Sequence, residues 1–377
     1  MTTTASRCTI VHHFAEIDDP RYQHSPTHLL IDIMTITICG VICGADDWVA
    51  IAEFGRAKQG WFKTFLRLPH GIPSHDTFGD VFGVLDPEQF TEAFIGWMKM
   101  VATISGVIAL DGKTIRRSFD KALDKSAIHM VSAWSSEQHL ILGQVKVDDK
   151  SNEITAIPKL LRLLVIKGCL VTIDAMGCQT EIAEQIVEQG GDYLLAVKKN
   201  QKHLYEDIEH LFKHAVPENF HAEGFDEART VDKQHGRLEI RHCQCVSDSE
   251  WLDYLRSRHN WKKLCSVVKI WTERKIGRKK KRESRYYICS RVASAADLLD
   301  GIRAHWGVEN NVHWVLDVIF DEDSSRARTG HAQENLATMR RIAINMLNQE
   351  QTRKESLKGK RQLAGWDESY MERIIFN

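Results

Sequence analysis

Apolar residues recur at intervals of three and four along the first hundred positions, which is the spacing of amphipathic helices. The clearest examples are residues 28–56 and 86–102. Asp86 before Pro87 is typical of a helix start, and Ser74 could cap a further helix after a turn-rich segment. The pattern predicts a helical domain over residues 1–104, either a DNA-reading module or a plain helical bundle.

The most apolar stretch, residues 29–45, could be taken for a membrane span. It is slightly short for crossing a bilayer, and it contains Asp32. We therefore expect a buried helix here and no membrane association.

From Val107 onwards the pattern changes to short apolar runs separated by polar turns. Three strand-like runs are followed by alternating helices and strands. Asn152 is a candidate N-cap for the first of these helices, with Gly168 at its end. The order strand-strand-strand-helix-strand-helix-strand-helix predicts an α/β protein with an RNase H-like mixed sheet flanked by helices.

Residues 220–292 again alternate between apolar and polar positions, which predicts three antiparallel strands in a β-rich insertion. Helical periodicity returns at 294–320 and 332–349. We therefore expect a catalytic domain over residues 105–350 that contains the insertion, and a C-terminal tail over 351–377.

Composition restricts the function less than the pattern does. The chain has 377 residues, 43% hydrophobic and 27% charged, as in ordinary soluble proteins. Because the net charge is only −1, any nucleic-acid binding must come from local patches. The nine cysteines form no C-x-x-C pair, which argues against a zinc ribbon and, with no evident signal peptide, predicts a cytoplasmic protein.

The segment VIALDGKTIRRS (107–118) permits two interpretations. Gly-Lys-Thr ends a nucleotide-binding P-loop, but such a loop needs a glycine five positions before Gly112, where Val107 stands. The alternative is that Asp111 closes the first strand, beside a turn at Gly112, and presents a carboxylate to a metal ion.

Asp174 closes the fourth strand in the same way. In the predicted sheet these two strands are adjacent and parallel, so both carboxylates should emerge at one sheet edge and need a cation between them. Glu309, seven residues after Ile302 on one apolar helix stripe, would complete a site for two Mg²⁺ or Mn²⁺ ions.

Each acid also has a simpler interpretation. Aspartates often form turns at strand ends, and Glu309 could pair with Arg303. A zinc stripe of His305, Glu309 and His313 is less favoured because it lacks a further convergent ligand. The preferred alternative is that these histidines pack near Glu309 or contact phosphate.

Long motifs resemble a known family: ALDGKTIRRS, SAIHMVSAW, TIDAMGCQ, GGDYLLAVKKNQ and IRAHWGVENNVHWVLDVIFDED. They are similar to the H-repeat-associated bacterial insertion-sequence transposases of the DDE superfamily, from about residue 10 to 350. The resemblance implies an N-terminal associated domain, a catalytic triad of Asp111, Asp174 and Glu309, and metal-dependent cleavage and strand transfer on double-stranded DNA. It also implies a homo-oligomeric synaptic complex.

The sequence departs from the Tyr, Arg, Glu and Lys signature of related transposases. Ile302, His305 and Leu316 stand at the Tyr, Arg and Lys positions, and only Glu309 is kept. Arg303, His305 or Lys198 are the candidate substitutes for the phosphate contacts. Lys199 also stands where the family has a glycine.

Basic residues near the first acid, and in a later run, are the expected DNA contacts. Residues 274–285 hold eight Lys or Arg in twelve positions, with Gly277 as a hairpin turn. The predicted contacts are Lys113, Arg116, Arg117, Lys198, Arg303, His305, Lys279, Lys280 and Lys281. Their simpler role would be plain solvent exposure, and the rival functions are an RNase H-like nuclease without strand transfer and a degenerate or domesticated DNA-binding copy.

Overall fold

The computed structural model describes residues 10–21, 26–119, 126–148, 151–215, 224–234, 237–276 and 279–376, without the side chains of 215, 234, 237, 276, 279 and 280. The N-terminal part is helical, as the apolar spacing predicts. Its helices are α1 (Ile10–Phe14), α2 (Leu30–Cys43), α3 (Trp48–Ala57), α4 (Gln59–Phe62), α5 (His75–Val84) and α6 (Pro87–Val101).

The helix starts in this part follow the predicted caps. The hydroxyl of Ser74 accepts a hydrogen bond from the backbone of Thr77, and Asp86 caps α6 with Pro87 in its first turn. The apolar segment forms α2, which is buried along most of its length. Asp32 is satisfied inside the protein because its carboxylate accepts a hydrogen bond from the backbone of Leu68 at 2.9 Å.

Within the described ranges, no single helix is long and apolar enough to cross a membrane. Taken together, α2 and α3 would pass on length and composition, but they are bent by 98° at their junction.

One mixed sheet of nine strands forms the centre of the described structure. The strands are β1 (Val107–Thr114), β2 (His129–Ser135), β3 (Leu140–Lys146), β4 (Leu170–Ile173), β5 (Asp192–Val197), β6 (Phe225–Gln234), β7 (Arg237–Val246), β8 (Ser266–Ile276) and β9 (Lys279–Cys289). Their order across the sheet is β3-β2-β1-β4-β5-β9-β8-β7-β6.

The first five strands have the RNase H-like arrangement. β1 pairs with β4 and β4 with β5 in parallel, whereas β1, β2 and β3 are joined as antiparallel neighbours. Helices α7 (Glu153–Leu163), α8 (Thr180–Glu188) and α9 (Lys202–His210) follow β3, β4 and β5. The side chain of Asn152 caps α7 as predicted, but this helix ends at Leu163 rather than near Gly168.

The predicted β-rich insertion has four strands, not three, and it continues the same sheet. β9 pairs antiparallel with β5, and β8, β7 and β6 extend the sheet outwards. β6 was not among the predicted strands. The short helix α10 (Ser249–Leu252) lies between β7 and β8.

A long interrupted helix follows the sheet. It consists of α11 (Ala295–Val308), a π turn at Glu309–His313, and α12 (Trp314–Val318). Next comes α13 (Ala332–Gln349), which packs against α2, α5, α6 and β3 and so joins the N-terminal helices to the sheet. The segment named as a tail forms α14 (Leu357–Trp366) and α15 (Glu368–Ile375), and α14 packs against α2.

Candidate metal centre

The first two predicted acids leave neighbouring parallel strands at the same level of the sheet. The parallel pairing of β1 with β4 ends at Leu110 and Ile173, so Asp111 and Asp174 are the next residues on the two chains. Each carboxylate is partly buried and accepts a hydrogen bond of 2.9 Å from a nearby backbone amide. The sheet therefore brings these two side chains to one edge.

The expectation that Gly112 forms a turn beside Asp111 is wrong. β1 continues to Thr114 and pairs with β2 through this region, so the backbone is extended and forms no phosphate-cradling loop. A Cβ at Gly112 would lie 2.1 Å from Glu153 Oε1 and 2.4 Å from His129 Nε2. Glycine is needed here because these two side chains approach the strand closely.

Glu309 comes from the helix that crosses the sheet. Ser294 caps the start of α11, and the helix changes to a π turn at Glu309. Such turns are rare in helices and are frequent at functional sites. The side chain of Glu309 is 71% exposed, so the expectation of an acid on a buried stripe is wrong, although the residue does face the site.

His313 connects the helix to the strand. Its Nδ1 lies 2.9 Å from Glu309 Oε2 and 3.8 Å from Asp111 Oδ2, and ligand atoms of the three residues all lie within 4.8 Å of one another. Carboxylate oxygens are the ligands that Mg²⁺ and Mn²⁺ prefer, and an adjacent imidazole can orient a ligating carboxylate. The donor set therefore fits a divalent cation.

The other proposed partners of Glu309 lie elsewhere. His305 Nδ1 is 3.1 Å from Thr172 Oγ1, and Arg303 lies 3.4 Å from Asp232 Oδ2. Among the described residues, the stripe of His305, Glu309 and His313 is therefore not one ligand set, and Arg303 does not pair with Glu309.

The site concentrates negative charge. The pKa of Asp111 is raised to about 7, mainly by burial and also by the nearby carboxylates of Glu153, Asp174 and Glu309, against the hydrogen bond from the Gly112 amide. Mutual repulsion of this kind is relieved by a cation. Burial also lowers the pKa of His305 to about 4, so this imidazole is neutral at physiological pH.

Sequence reasoning missed two further groups beside Asp111. Glu153, in the first turn of α7, is largely buried and lies 2.7 Å from His129 Nε2, and His129 Nδ1 lies 2.8 Å from Thr114 Oγ1. Glu153 is the foremost of the three carboxylates acting on Asp111. The available signal was the acidic residue after the Asn152 cap, but its proximity to Asp111 depends on sheet pairing that no local pattern reveals.

The predicted DNA contacts are not equivalent in the structure. Lys113 is buried, with its Nζ at 2.7 Å from Asp317, 3.1 Å from Glu322 and 3.4 Å from Asp323. This arrangement favours a structural role for Lys113 over a phosphate contact. Arg116 is 82% exposed, although its Nε lies 3.2 Å from Asp323 Oδ2.

Other predicted contacts are at the surface. The exposed ones are Arg117, Lys198, Arg303 and Lys281. Gly277 and the side chains of Lys279 and Lys280 lie outside the described part of the chain.

Comparisons with known proteins agree with this architecture. The family model described as "Transposase DDE domain" matches residues 103–346, and the model "DDE_Tnp_1-associated" matches residues 11–98. A relative from Escherichia coli strain K12, "H repeat-associated putative transposase YhhI", is 41% identical over 373 residues, which is 97% of each chain. "Putative transposase YncI" of Escherichia coli O157:H7 is 40% identical over 370 residues, covering 97% of this chain and 94% of that protein.

Among solved structures, a piggyBac transposase synaptic complex with hairpin DNA covers 99% of this chain at 11% identity, with a TM-score of 0.45, too low to add to the argument. The family match spans most of the chain, and the relatives align over nearly its full length. This chain therefore belongs to the family of transposases with a DDE domain and is a relative of the H repeat-associated proteins.

Proposed function

We propose that this chain cleaves DNA at the ends of an insertion sequence and joins them to a target, with Asp111, Asp174 and Glu309 as the catalytic acids. The supporting observation is that Glu309 and His313 lie within 4.8 Å of Asp111, while Asp174 leaves the neighbouring strand at the level of Asp111 and, like Glu309, raises the pKa of the Asp111 carboxyl. These residues would hold Mg²⁺ or Mn²⁺, with two ions expected.

Bound there, divalent cations would activate water, and then a 3′-hydroxyl, for in-line attack on a phosphodiester. The residues of the chain supply position and charge. His313 holds the Glu309 carboxylate towards Asp111, and the exposure of Glu309 leaves the site open to a DNA strand. His305, neutral and hydrogen-bonded to Thr172, lines the side of Asp174 without adding a competing cation.

The partners follow from the chemistry. The substrate would be double-stranded DNA at element ends and target sites, and the exposed cations Arg116, Arg117 and Lys198 are candidates for phosphate contacts. Joining two ends requires a homo-oligomeric synaptic complex. An enzyme that acts on bacterial chromosomal DNA would work in the cytoplasm at the nucleoid.

A strand-transfer assay tests this proposal. The substrates are a duplex with the gene's flanking terminal repeat and a pre-cut 3′-OH end, and a supercoiled target plasmid, with Mg²⁺ or Mn²⁺. We expect a covalent joint product from the wild type. The rate of joining should fall at least about a thousandfold in Asp111→Asn and Glu309→Gln. It should not fall in Asp148→Asn, the matched control, because Asp148 is an exposed acid paired with Lys159.

The outcomes separate the rival functions. Hydrolysis of the duplex without joining would identify a nuclease. DNA binding with no cleavage under any metal condition would identify a DNA-binding copy that has lost its chemistry. Joining that survives Asp111→Asn would exclude this site as the catalytic centre.

A further inference from the structure

The strands β6–β9 present two faces of different character. Side chains alternate along a strand and directly paired residues share a face. The pairing therefore places Arg229, His242, Trp271 and Ser284 on one face, and Arg241, Thr272 and Glu283 on the other. α11 covers the second face, packing Leu298 and Ile302 on the apolar residues of β7, β8 and β9.

Most cations on the helix-covered face are neutralised; Lys281, directly across from Arg274, is an exposed exception. Arg241 pairs with Asp232 and Glu239, Arg274 lies 2.9 Å from Glu239, and Arg285 lies 2.8 Å from Glu283. Arg303 of α11 adds a further pair with Asp232. These charges are satisfied within the protein and leave little attraction for an external anion.

The opposite face carries cations that form no ion pair in the described part of the chain, together with two acids, Glu227 and Glu273. Lys269 Nζ lies 5.5 Å from the ring centre of Trp271 and 5.8 Å from that of Phe212, and the Arg282 guanidinium lies 5.3 Å from Trp271. Among the described residues, Arg229, Lys269 and Arg282 form no ion pair within 4.0 Å, although Glu273 lies directly across from Arg282 on the neighbouring strand.

Trp271 organises this face. Its ring stacks on His242 with 4.6 Å between centroids and 2° between planes, and cation–π contacts hold Lys269 and Arg282 beside it. The indole is already engaged by protein groups, so it is not an open platform for a base. It instead fixes the positions of two long, otherwise flexible side chains.

Like charges crowd one another here. Burial lowers the pKa of Lys269, and the cations of Arg282 and Lys213 lower it further, against Glu209. The pKa of His242 is likewise lowered by burial. Arg229 and Arg282 lower it further, whereas Glu273 and Glu227 act to raise it. A bound polyanion would relieve this repulsion.

We propose that the open face formed by Arg229, His242, Lys269, Trp271 and Arg282 binds the phosphate backbone of duplex DNA. This inference rests on the proposed function for the identity of the polyanion, and it assigns the contact to the face of the sheet rather than to the basic hairpin tip. Because backbone contacts carry no sequence information, this face adds affinity and position on the DNA without choosing a sequence.

The test is the salt dependence of binding to a random-sequence duplex, measured by fluorescence anisotropy in the Asp111→Asn background so that the DNA stays intact. The test variant is Lys269→Gln with Arg282→Gln. The matched control is Arg274→Gln with Arg285→Gln, which removes the same formal charge from the same two strands on the covered face.

Each lost phosphate contact should reduce the slope of log K against log salt by about 0.9. The test pair should therefore reduce the slope by about 1.8. It should also weaken duplex binding about 10- to 30-fold near physiological salt. The control pair should change the slope much less. Equal slopes in test and control, or an unchanged slope in the test pair, would overturn the inference, as would a larger loss for single-stranded than for duplex DNA. Circular dichroism would verify that both pairs fold.

The two proposals can fail separately. If the wild type neither cuts nor joins DNA but the test pair still loses duplex binding, the proposed function fails and the open face stands. If strand transfer occurs but duplex binding is insensitive to the test pair, the open face fails alone.

Discussion

Replacing Glu322 by glutamine should destabilise the fold by about 3 kcal/mol or more at neutral pH. Glu322 is fully buried, and its carboxylate lies 2.9 Å from Arg341 Nη1 and 3.1 Å from Lys113 Nζ. Glutamine keeps the shape of the side chain but removes the counter-charge from two buried cations. Breaking a buried ion pair on one side is costly because the remaining charge stays desolvated.

The magnitude follows from the carboxyl group itself. Burial acts to raise the pKa of Glu322, but Arg341 and Lys113 outweigh it, and the pKa falls from 4.5 to about 2. At roughly 1.36 kcal/mol for each pKa unit, this lowering of the pKa corresponds to about 3 kcal/mol of folding stability. Because the folded pKa lies below the unfolded one, the contribution is complete above about pH 4.5 and is lost as the pH falls towards 2.

Urea unfolding followed by tryptophan fluorescence, at pH 7 and pH 3, would measure this effect. The difference in unfolding free energy between the wild type and Glu322→Gln should be about 2 kcal/mol smaller at pH 3 than at pH 7, because the carboxyl of the unfolded chain is protonated at pH 3. Glu334→Gln is the control, because burial raises the pKa of Glu334 and loss of its charge should not destabilise the protein. A gap of the same size at both pH values, or no gap at pH 7, would refute the electrostatic account.

Two further predictions concern the groups packed beside Asp111. Gly112→Ala should lower the free energy of unfolding by about 1–3 kcal/mol in thermal unfolding, because the new Cβ would collide with Glu153 and His129. Gly60→Ala, where no atom lies within 4 Å of the new Cβ, should have no such effect. Equal effects of the two changes would show that side-chain movement relieves the crowding. Glu153→Gln should weaken Mn²⁺ binding about tenfold or more in isothermal titration calorimetry because it removes a carboxylate facing Asp111; unchanged affinity would place Glu153 outside the centre.

The core strands of the fold were predictable because their apolar runs are short and well separated. β6 was not, for a physical reason. It is the edge strand, and its residues FDEARTVDKQ place charged side chains next to each other at Asp226-Glu227 and Asp232-Lys233, with Val231 exposed. A strand that buries little apolar surface leaves little period-two signal, and only its pairing with β7 defines it.

Glu309 lies near Asp111, but the premise of a buried helix stripe was wrong, and its role as a metal ligand stays a prediction. The seven-residue spacing from Ile302 predicts the same helix face, and Ile302 is indeed buried against the sheet. Glu309 lies further along, at the level of Asp111 and beyond the last parallel pair of β1 and β4, where its side chain is exposed. Periodicity gives the face of a helix, but not the point at which the covering sheet ends.

Lys113 shows a second limit of local reasoning. A lysine two residues after a strand acid, in a run of basic residues, is indistinguishable in sequence from a phosphate-binding lysine. Its actual partners, Asp317, Glu322 and Asp323, are more than two hundred residues away; Asp317 lies in α12, at the end of the Glu309 helix, and the other two follow it. The same ion pairs join β1 to that helix, so a residue expected to touch substrate instead ties together the two elements that carry Asp111 and Glu309.

The β-rich region is part of the architecture of the site rather than an addition to it. β9 pairs with β5, and the inner residues of β7, β8 and β9 form the apolar bed on which α11 lies. Since α11 carries Glu309 towards Asp111, the insertion helps to determine where the third acid stands. The same strands hold Arg241, Arg274 and Arg285 in ion pairs on the side of α11 and carry Arg229, Lys269 and Arg282 on the other side, where we propose that DNA binds.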